Sequence, residues 1–200
     1  MQLMNSKAQY GAVPQILHWL TALFVICGWL LGTFLDDFPK GPIRNAALTA
    51  HMTLGQCIIV FLLARLVWRM VDPPPPLEET RFGWLQQAVA TLTHYVLYAL
   101  LVAVPIMGII VQLKRGNPLP FFGLSNITSP WPTDRAMARS LLRVHEYLAD
   151  ALLILAGVHA AAALAHHYLF EDRTLARMLP GNSRPVRRRS KARSAPQATP

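Results

Sequence analysis

The sequence predicts an all-α integral membrane protein, a bundle of four transmembrane helices, from its composition and from the grouping of its apolar residues. Of 200 residues, 53% are hydrophobic and only 14% are charged, whereas soluble domains carry about 25% charged residues. The apolar residues form four long blocks, and each exceeds the roughly 20 residues that a span needs. This composition excludes a soluble globular domain and, for most of the chain, disorder.

The four spans are predicted in one domain that covers residues 1–180. They comprise residues 14–35, 46–68, 84–113 and 140–169. Pro14 suits a first helical turn, where its missing N–H is not needed, and Pro105 predicts a kink in the third span. The Pro73–Pro76 run predicts a stiff polyproline strut between the second and third spans. Beyond residue 180, the Arg/Ser/Pro-rich composition predicts a basic, disordered tail over residues 181–200.

The distribution of the net charge of +9 predicts the orientation. Four spans leave both termini on one side, and a cytoplasmic location for them gives twelve Lys/Arg inside and seven outside. The positive-inside rule favours this arrangement, although the eight Lys/Arg after Phe170 supply the margin. A basic tail beside a span is typical of contact with membrane lipid, and nucleic-acid binding is not expected because no recognition module accompanies the charge.

Four histidines lie at matching depths in the predicted spans. His145 and His159 are fourteen residues apart, close to four helical turns, and therefore project from nearly one face about 21 Å apart. In an antiparallel bundle, His18 shares the level of His159, and His51 shares the level of His145. Ionisable groups within spans are functional candidates. The spacing therefore predicts two transverse pairs, one toward each membrane surface.

Two imidazoles that face each other across a bundle core are the ligands that a six-coordinate haem iron needs. Gly55 lies on the face of His51, and Ala160–Ala163 follow the ligand candidate on the fourth span, which leaves room for a macrocycle. Covalent haem attachment is not expected because the sequence has no C-x-x-C-H motif. Zinc is the weaker alternative because it prefers three or four converging ligands. The GxxxG pattern of Gly28 and Gly32 is more typical of close helix contact.

Several sequence stretches together resemble the bacterial cytochrome b561 family from about Tyr10 to Pro180. They are Ile16–Trp19, His51–Gly55, His94–Tyr98, Lys114–Pro118, Phe122–Leu124, Val144–Glu146, Gly157–Tyr168, Asp172–Leu175 and Arg177–Met178. As a set, these motifs are highly specific to the family. The chain departs from the family pattern in the basic tail beyond Gly181.

The resemblance implies a four-helix cytochrome of the bacterial inner membrane with two b-type haems. It implies iron ligation by His18 and His159 on the cytoplasmic side and by His51 and His145 on the outer side. The part of the family that the chain resembles most acts as a superoxide oxidase. The implied activity is therefore a superoxide:ubiquinone oxidoreductase, in which electrons from superoxide pass through the two haems to ubiquinone.

Further residues are candidates for contact with the two substrates. The outer loop has a positive field from Lys114, Arg115, Arg135, Arg139 and Arg143. Such a field accelerates capture of anionic superoxide, although headgroup binding is the alternative. Lys114 and Arg115 are assigned to the catalytic site together with His94, which has no partner in the pairing and otherwise caps a buried hydrogen bond. His166 is assigned to a quinone carbonyl, which it binds while relaying a proton, and interfacial hydration is the alternative for it and His167.

A second function remains open from the sequence. Related haem-bearing four-helix chains serve as anchor subunits that relay electrons between a partner dehydrogenase or hydrogenase and the quinone pool. This hypothesis predicts docking of a redox partner protein, for which the outer loop is short. A haem-free channel or transporter leaves the level-matched histidine pairs unexplained.

Overall fold

The computed structural model describes residues 2–6, 8–76 and 83–181, and four long helices dominate these residues. The helices are α1 (Ala12–Thr33), α2 (Pro42–Val71), α3 (Gly83–Lys114) and α4 (Arg135–Tyr168). Short 3-10 helices cover Leu35–Asp37 and Ala176–Met178. All four long helices have the length and apolar composition of membrane spans. The all-α prediction with four spans is therefore confirmed, while the predicted tail beyond Gly181 lies outside the described residues.

α2 and α3 extend beyond the predicted spans at both ends, whereas α1 and α4 begin earlier than predicted and end one or two residues sooner. α4 begins at Arg135, five residues before the predicted start, because the Asp134 side chain accepts a hydrogen bond from the Met137 backbone N–H at 2.9 Å. This N-cap satisfies a donor that the first turn otherwise leaves free. Apolar residues mark the part of a helix inside hydrocarbon, whereas caps set the ends, so the two limits differ.

The bundle pairs α1 with α2 and α3 with α4, and α2 joins the two halves. Its buried core is small and consists of Ile58, Leu62, Leu101 and Leu152. Many large apolar side chains, such as Leu63 and Ile154, instead point outward, as expected for helices surrounded by lipid. Between α1 and α4, the Trp29 indole N–H donates to the Asp150 carboxylate at 2.8 Å.

The two ends of the bundle differ in structure. At one end, the segment before α1 meets the segment after α4, where the Tyr10 backbone N–H donates to the Arg177 carbonyl at 3.3 Å. The buried Arg177 side chain donates to the Ala8 carbonyl at 3.1 Å and to the Pro76 carbonyl at 2.9 Å. These bonds join the proline run to both chain ends. We refer to this end as the terminal end.

A β-hairpin marks the opposite end, which we refer to as the hairpin end. Strands β1 (Leu119–Phe121) and β2 (Ser125–Ile127) pair antiparallel. Buried Gln56 donates to the Pro120 carbonyl at 2.6 Å and accepts from the Phe122 backbone N–H at 2.8 Å, while Gln112 donates to the Pro118 carbonyl at 3.0 Å. Two helices, α2 and α3, therefore hold the hairpin through buried amides.

Candidate haem sites and substrate-facing residues

His51 and His145 face each other near the hairpin end, with ring centroids 6.1 Å apart. His51 Nδ1 lies 2.8 Å from the Gly28 carbonyl oxygen, and His145 Nδ1 lies 2.9 Å from the Val104 carbonyl oxygen. A carbonyl only accepts, so each Nδ1 donates its hydrogen. The Nε2 lone pair of each ring is then available to a metal, because a hydrogen bond of this kind selects that tautomer. We refer to these two residues as the hairpin pair.

The spacing and surroundings of the hairpin pair fit a haem iron. A metal–imidazole bond is about 2 Å long and the ring centroid lies about 1 Å beyond the nitrogen, so one iron separates two facing centroids by about 6 Å. Glycines also make room for both rings. A Cβ atom on Gly32 would lie 3.0 Å from His51 Cε1, and one on Gly108 would lie 3.1 Å from His145 Cε1. Gly32 of the GxxxG pattern thus packs against the His51 imidazole.

Three imidazoles gather near the terminal end. The ring centroids of His18 and His159 lie 6.5 Å apart, which also fits one intervening iron, and we refer to these residues as the terminal pair. His94, which has no partner in the pairing predicted from the sequence, lies 5.2 Å from His159 by the same measure. Arg65 Nη1 lies 3.3 Å from His18 Nδ1. Sequence reasoning missed this contact of Arg65.

The structure does not bring His94 together with Lys114 and Arg115, the other two residues of the predicted catalytic group. His94 and Lys114 are twenty residues apart on α3, which corresponds to about 30 Å along a helix. The grouping therefore divides into a terminal-end imidazole and a hairpin-end basic cluster. Spacing along α3 is the signal that separates them.

Three arginines of the hairpin end line an open, solvent-facing cavity of about 290 Å³, whose lining residues are Arg115, Asn117, Arg135, Ala138 and Arg139. Arg139 precedes His145 by six residues on α4, about 9 Å along the helix axis. The Lys114 ammonium lies 5.4 Å from the Trp131 ring centroid. Arg139 therefore lies within two helical turns of His145 along the axis, and the two side chains project from faces about 120° apart.

A second polar cluster surrounds His166 at the terminal end. The Gln86 amide nitrogen lies 2.6 Å from His166 Nε2, and the Asp172 carboxylate accepts a hydrogen bond from His166 Nδ1. Burial alone would raise the pKa of Asp172, but hydrogen bonds from Thr174 and His166 outweigh it and lower that pKa. Among the described residues, Gln86 Oε1 and His167 Nδ1 are buried without a hydrogen-bond partner. Sequence reasoning identified His166 but missed Gln86, which no motif contains.

In the described part of the chain, no group of three or more His, Cys, Asp or Glu side chains is placed to hold a metal ion. That arrangement disfavours the zinc alternative, which needs several protein ligands. A haem iron needs only two protein ligands because the porphyrin supplies the remaining four. Facing imidazole pairs in a four-helix membrane bundle define the class of membrane-bound b-type cytochromes, which transfer electrons.

The particular family follows from comparison with known proteins. A family model described as prokaryotic cytochrome b561 matches residues 9–181, and the chain belongs to this family, whose cofactors are haem b groups. The chain is 30% identical to cytochrome b561 homolog 2 of Escherichia coli K12 over 182 residues, which cover 90% of this chain and 95% of that protein. The family assignment makes this protein a multi-pass membrane cytochrome.

Two further relatives have names that describe an activity or an assembly. The probable superoxide oxidase CybB of Yersinia pestis is 31% identical over 172 residues, which cover 86% of this chain and 96% of that protein. A probable Ni/Fe-hydrogenase B-type cytochrome subunit of Bradyrhizobium diazoefficiens is 36% identical over 74 residues. That match covers 31% of this chain and 28% of the relative.

Proposed function

We propose that this cytochrome oxidises superoxide at its hairpin end and passes the electrons through two haem b groups to ubiquinone at its terminal end. The observation that carries the proposal is the arginine-lined cavity about 9 Å along α4 from the hairpin pair. Two superoxide anions each lose one electron and leave as dioxygen. The two electrons and two protons convert one ubiquinone into ubiquinol.

The four facing histidines hold the electron-transfer groups in this proposal. His51 and His145 ligate one haem, and His18 and His159 ligate the other. When bound, the haems supply one-electron transfer. The 2.8 Å contact between His51 Nδ1 and the Gly28 carbonyl fixes the ring orientation before the cofactor binds, which lowers the cost of binding.

Arg115, Arg135 and Arg139 attract superoxide, and Lys114 and Arg143 add to the field. A cluster of one charge sign raises the local concentration of an oppositely charged substrate and its association rate. The arginines come from the end of α3 and from the first two turns of α4. Joined rigidly to the ligand helix, they direct the anion toward the hairpin pair.

His166 and Asp172 form the proton-handling part of the ubiquinone site. The lowered pKa of Asp172 keeps its carboxylate ionised at neutral pH, and the carboxylate accepts from His166 Nδ1 and so fixes the orientation of the ring. The Gln86 amide nitrogen lies 2.6 Å from His166 Nε2, so a quinone carbonyl binds His166 Nε2 by displacing this amide, and His166 then relays a proton. Gln86 Oε1 and His167 Nδ1 are buried and lack hydrogen-bond partners among the described residues. A quinone or quinol supplies the missing partner for such groups.

Stopped-flow visible absorbance of the oxidised holoprotein mixed with superoxide, with and without ubiquinone, tests the proposal. We expect fast haem reduction that drains into quinone. The Arg115→Gln/Arg139→Gln double variant should slow haem reduction about tenfold or more, within the range of electrostatic steering. The matched control is Arg44→Gln, because Arg44 is outside the cavity and paired with Asp36. Haem that ignores superoxide would refute the proposal.

An electron-relay subunit is the second candidate, favoured by the partial match to the hydrogenase cytochrome subunit. In that case, the haems accept electrons from quinol or from a docked redox protein but not from superoxide. Reduction by ubiquinol together with inertness toward superoxide would select this function. The location we propose, with the terminal end in the cytoplasm of a bacterial inner membrane, is common to both candidates and is testable by cysteine labelling at the two ends.

A further inference from the structure

The two histidine pairs have opposite electrostatic surroundings. Both members of the hairpin pair have Nδ1 against a backbone carbonyl, at 2.8 Å and 2.9 Å. In the terminal pair, His18 Nδ1 instead lies 3.3 Å from Arg65 Nη1. Within the described residues, neither member of the terminal pair bonds to a backbone carbonyl. One pair faces negative dipole ends, and the other faces a cation.

The charge of Arg65 is fixed in both position and sign. Its guanidinium carbon lies 5.6 Å from the Tyr98 ring centroid, within reach of a cation–π interaction, and arginine does not deprotonate in proteins. The ion pairs among the described residues are Arg44–Asp36 and His166–Asp172. No carboxylate in the described chain therefore neutralises Arg65. In a low-dielectric bundle, such a charge acts over several ångströms.

These surroundings act on an iron ligand in known directions. A ligating imidazole that donates Nδ1–H to a carbonyl is more basic and stabilises the oxidised, more positive iron. A neighbouring cation has the reverse effect and favours the reduced iron. Arg65 only donates, so His18 Nδ1 accepts in the observed contact. When His18 Nε2 binds iron, the hydrogen lies on Nδ1 instead, that hydrogen bond is lost, and the guanidinium acts on the ligand only through its charge. The carbonyl contacts lower the reduction potential of the hairpin-pair haem, and the cation raises the reduction potential of the terminal-pair haem. Both effects therefore widen the same difference between the two potentials.

We propose that Arg65 is a positioning residue that, through His18, raises the reduction potential of the terminal-pair haem above that of the hairpin-pair haem. Transfer of one electron from the hairpin-pair iron, which is oxidised, to the terminal-pair iron, which is reduced, is then downhill and needs no other reactant. This inference rests on the ligand assignment proposed above. It makes the bundle a directional conductor from the hairpin end to the terminal end.

Redox titration followed by visible absorbance of the holoprotein tests the inference in two single-haem backgrounds. His51→Ala leaves the terminal-pair haem, and His18→Ala leaves the hairpin-pair haem. In the first background, Arg65→Gln should lower the midpoint potential by a shift equivalent to about tenfold in equilibrium, or about 59 mV for one electron. In the second background, the same substitution should leave the potential unchanged.

Two controls separate charge from packing. Arg65→Lys keeps the charge, so the midpoint potential of its terminal-pair haem should stay close to that of the protein with Arg65. This comparison holds even where Arg65→Gln binds haem poorly. Arg69→Gln removes a charge from an exposed position one turn further along α2 and should shift the potential less. With both ligand assignments intact, this inference alone is overturned if Arg65→Gln keeps the potential of the unsubstituted protein, or if Arg65→Lys lowers it by the amount expected for loss of the charge. Two haems remaining in His18→Ala would instead overturn the ligand assignment.

Discussion

Gly32 illustrates how one residue without a side chain builds a cofactor site. The His51 ring lies against α1 at this position, and a Cβ atom there would approach His51 Cε1 to 3.0 Å. That separation is closer than ordinary packing contacts between carbon atoms. The ring therefore has to shift away from the Gly28 carbonyl when a methyl group is added.

We predict that Gly32→Ala lowers occupancy of the hairpin-pair haem, whereas Gly157→Ala does not. Gly157 lies at an exposed position of α4, where a Cβ atom meets nothing within 4 Å, and alanine favours a helix by about 1 kcal/mol relative to glycine. The two variants thus make the same chemical change, one against a ligand ring and one on the outer face of the bundle. The haem-to-protein ratio from the pyridine haemochrome spectrum measures the outcome. Equal ratios in the two variants would contradict the steric role of Gly32.

His94 poses a different question at the residue scale, because its ring centroid lies closer to His159 than that of His18 does, at 5.2 Å against 6.5 Å. Only one of them can share an iron with His159 in a bis-histidine site. The spacing of His18 and His159 matches the separation of about 6 Å that an intervening iron requires. His94 is too close for that geometry.

We therefore predict that His94→Ala retains two haems per chain, whereas His18→Ala retains one. Haem content and the low-temperature α-band of the reduced protein distinguish the two cases. His167→Ala serves as the control, because it removes an imidazole from the terminal end outside the terminal pair. A single haem in His94→Ala would transfer the ligand role from His18 to His94.

At the scale of the element, the hairpin depends on Gln56 more than on its own strands. Each strand has three residues, and Phe122 has a positive φ of 50°, a conformation that residues with a Cβ atom rarely adopt. Gln56 binds the Pro120 carbonyl and the Phe122 backbone N–H, which lie immediately before this dihedral angle. The amide thus compensates for strain that the turn itself introduces.

Replacement of Gln56 should release the hairpin from α2. We predict that Gln56→Leu destabilises the hairpin-end structure by about 1–3 kcal/mol, the cost of leaving backbone groups unpaired, and accelerates protease cleavage within residues 118–127. Limited proteolysis of the detergent-solubilised holoprotein measures the rate. Gln87→Leu on an exposed position of α3 should leave cleavage unchanged. Equal cleavage rates in both variants would show that the strands hold the hairpin.

Elements differed in how well the sequence predicted them, for physical reasons. The four helices are determined by apolar length, because a bilayer requires about 20 apolar residues per span. Histidine levels follow from the constant rise of a helix, and His51 indeed faces His145. The hairpin was missed because strands of three residues have no readable alternation. Contacts such as Arg65 with His18 depend on helix rotation, which a weakly amphipathic membrane helix does not encode in its pattern.

At the scale of the whole molecule, charge and histidines follow the same axis. The hairpin end has the arginine-lined cavity, and the terminal end has the anionic Asp172 beside His166. Under the proposed function, an anionic substrate is attracted to one end and protons are delivered at the other. The two histidine pairs, about 21 Å apart along α4, connect the ends.

This polarity predicts a salt dependence that distinguishes steering from simple contact. The Debye length falls from about 30 Å at 0.01 M to about 8 Å at 0.15 M ionic strength, so long-range attraction to the arginines weakens over that interval. Haem reduction by superoxide should slow about tenfold, within the range of steered association, while electron transfer from reduced haem to ubiquinone, an uncharged acceptor, should not change. Stopped-flow traces over this salt series measure both phases.

Because Arg115→Gln/Arg139→Gln lacks two of the steering charges, its first phase should depend on salt less steeply than that of Arg44→Gln. Equal slopes would place the attracting charge elsewhere on the hairpin end.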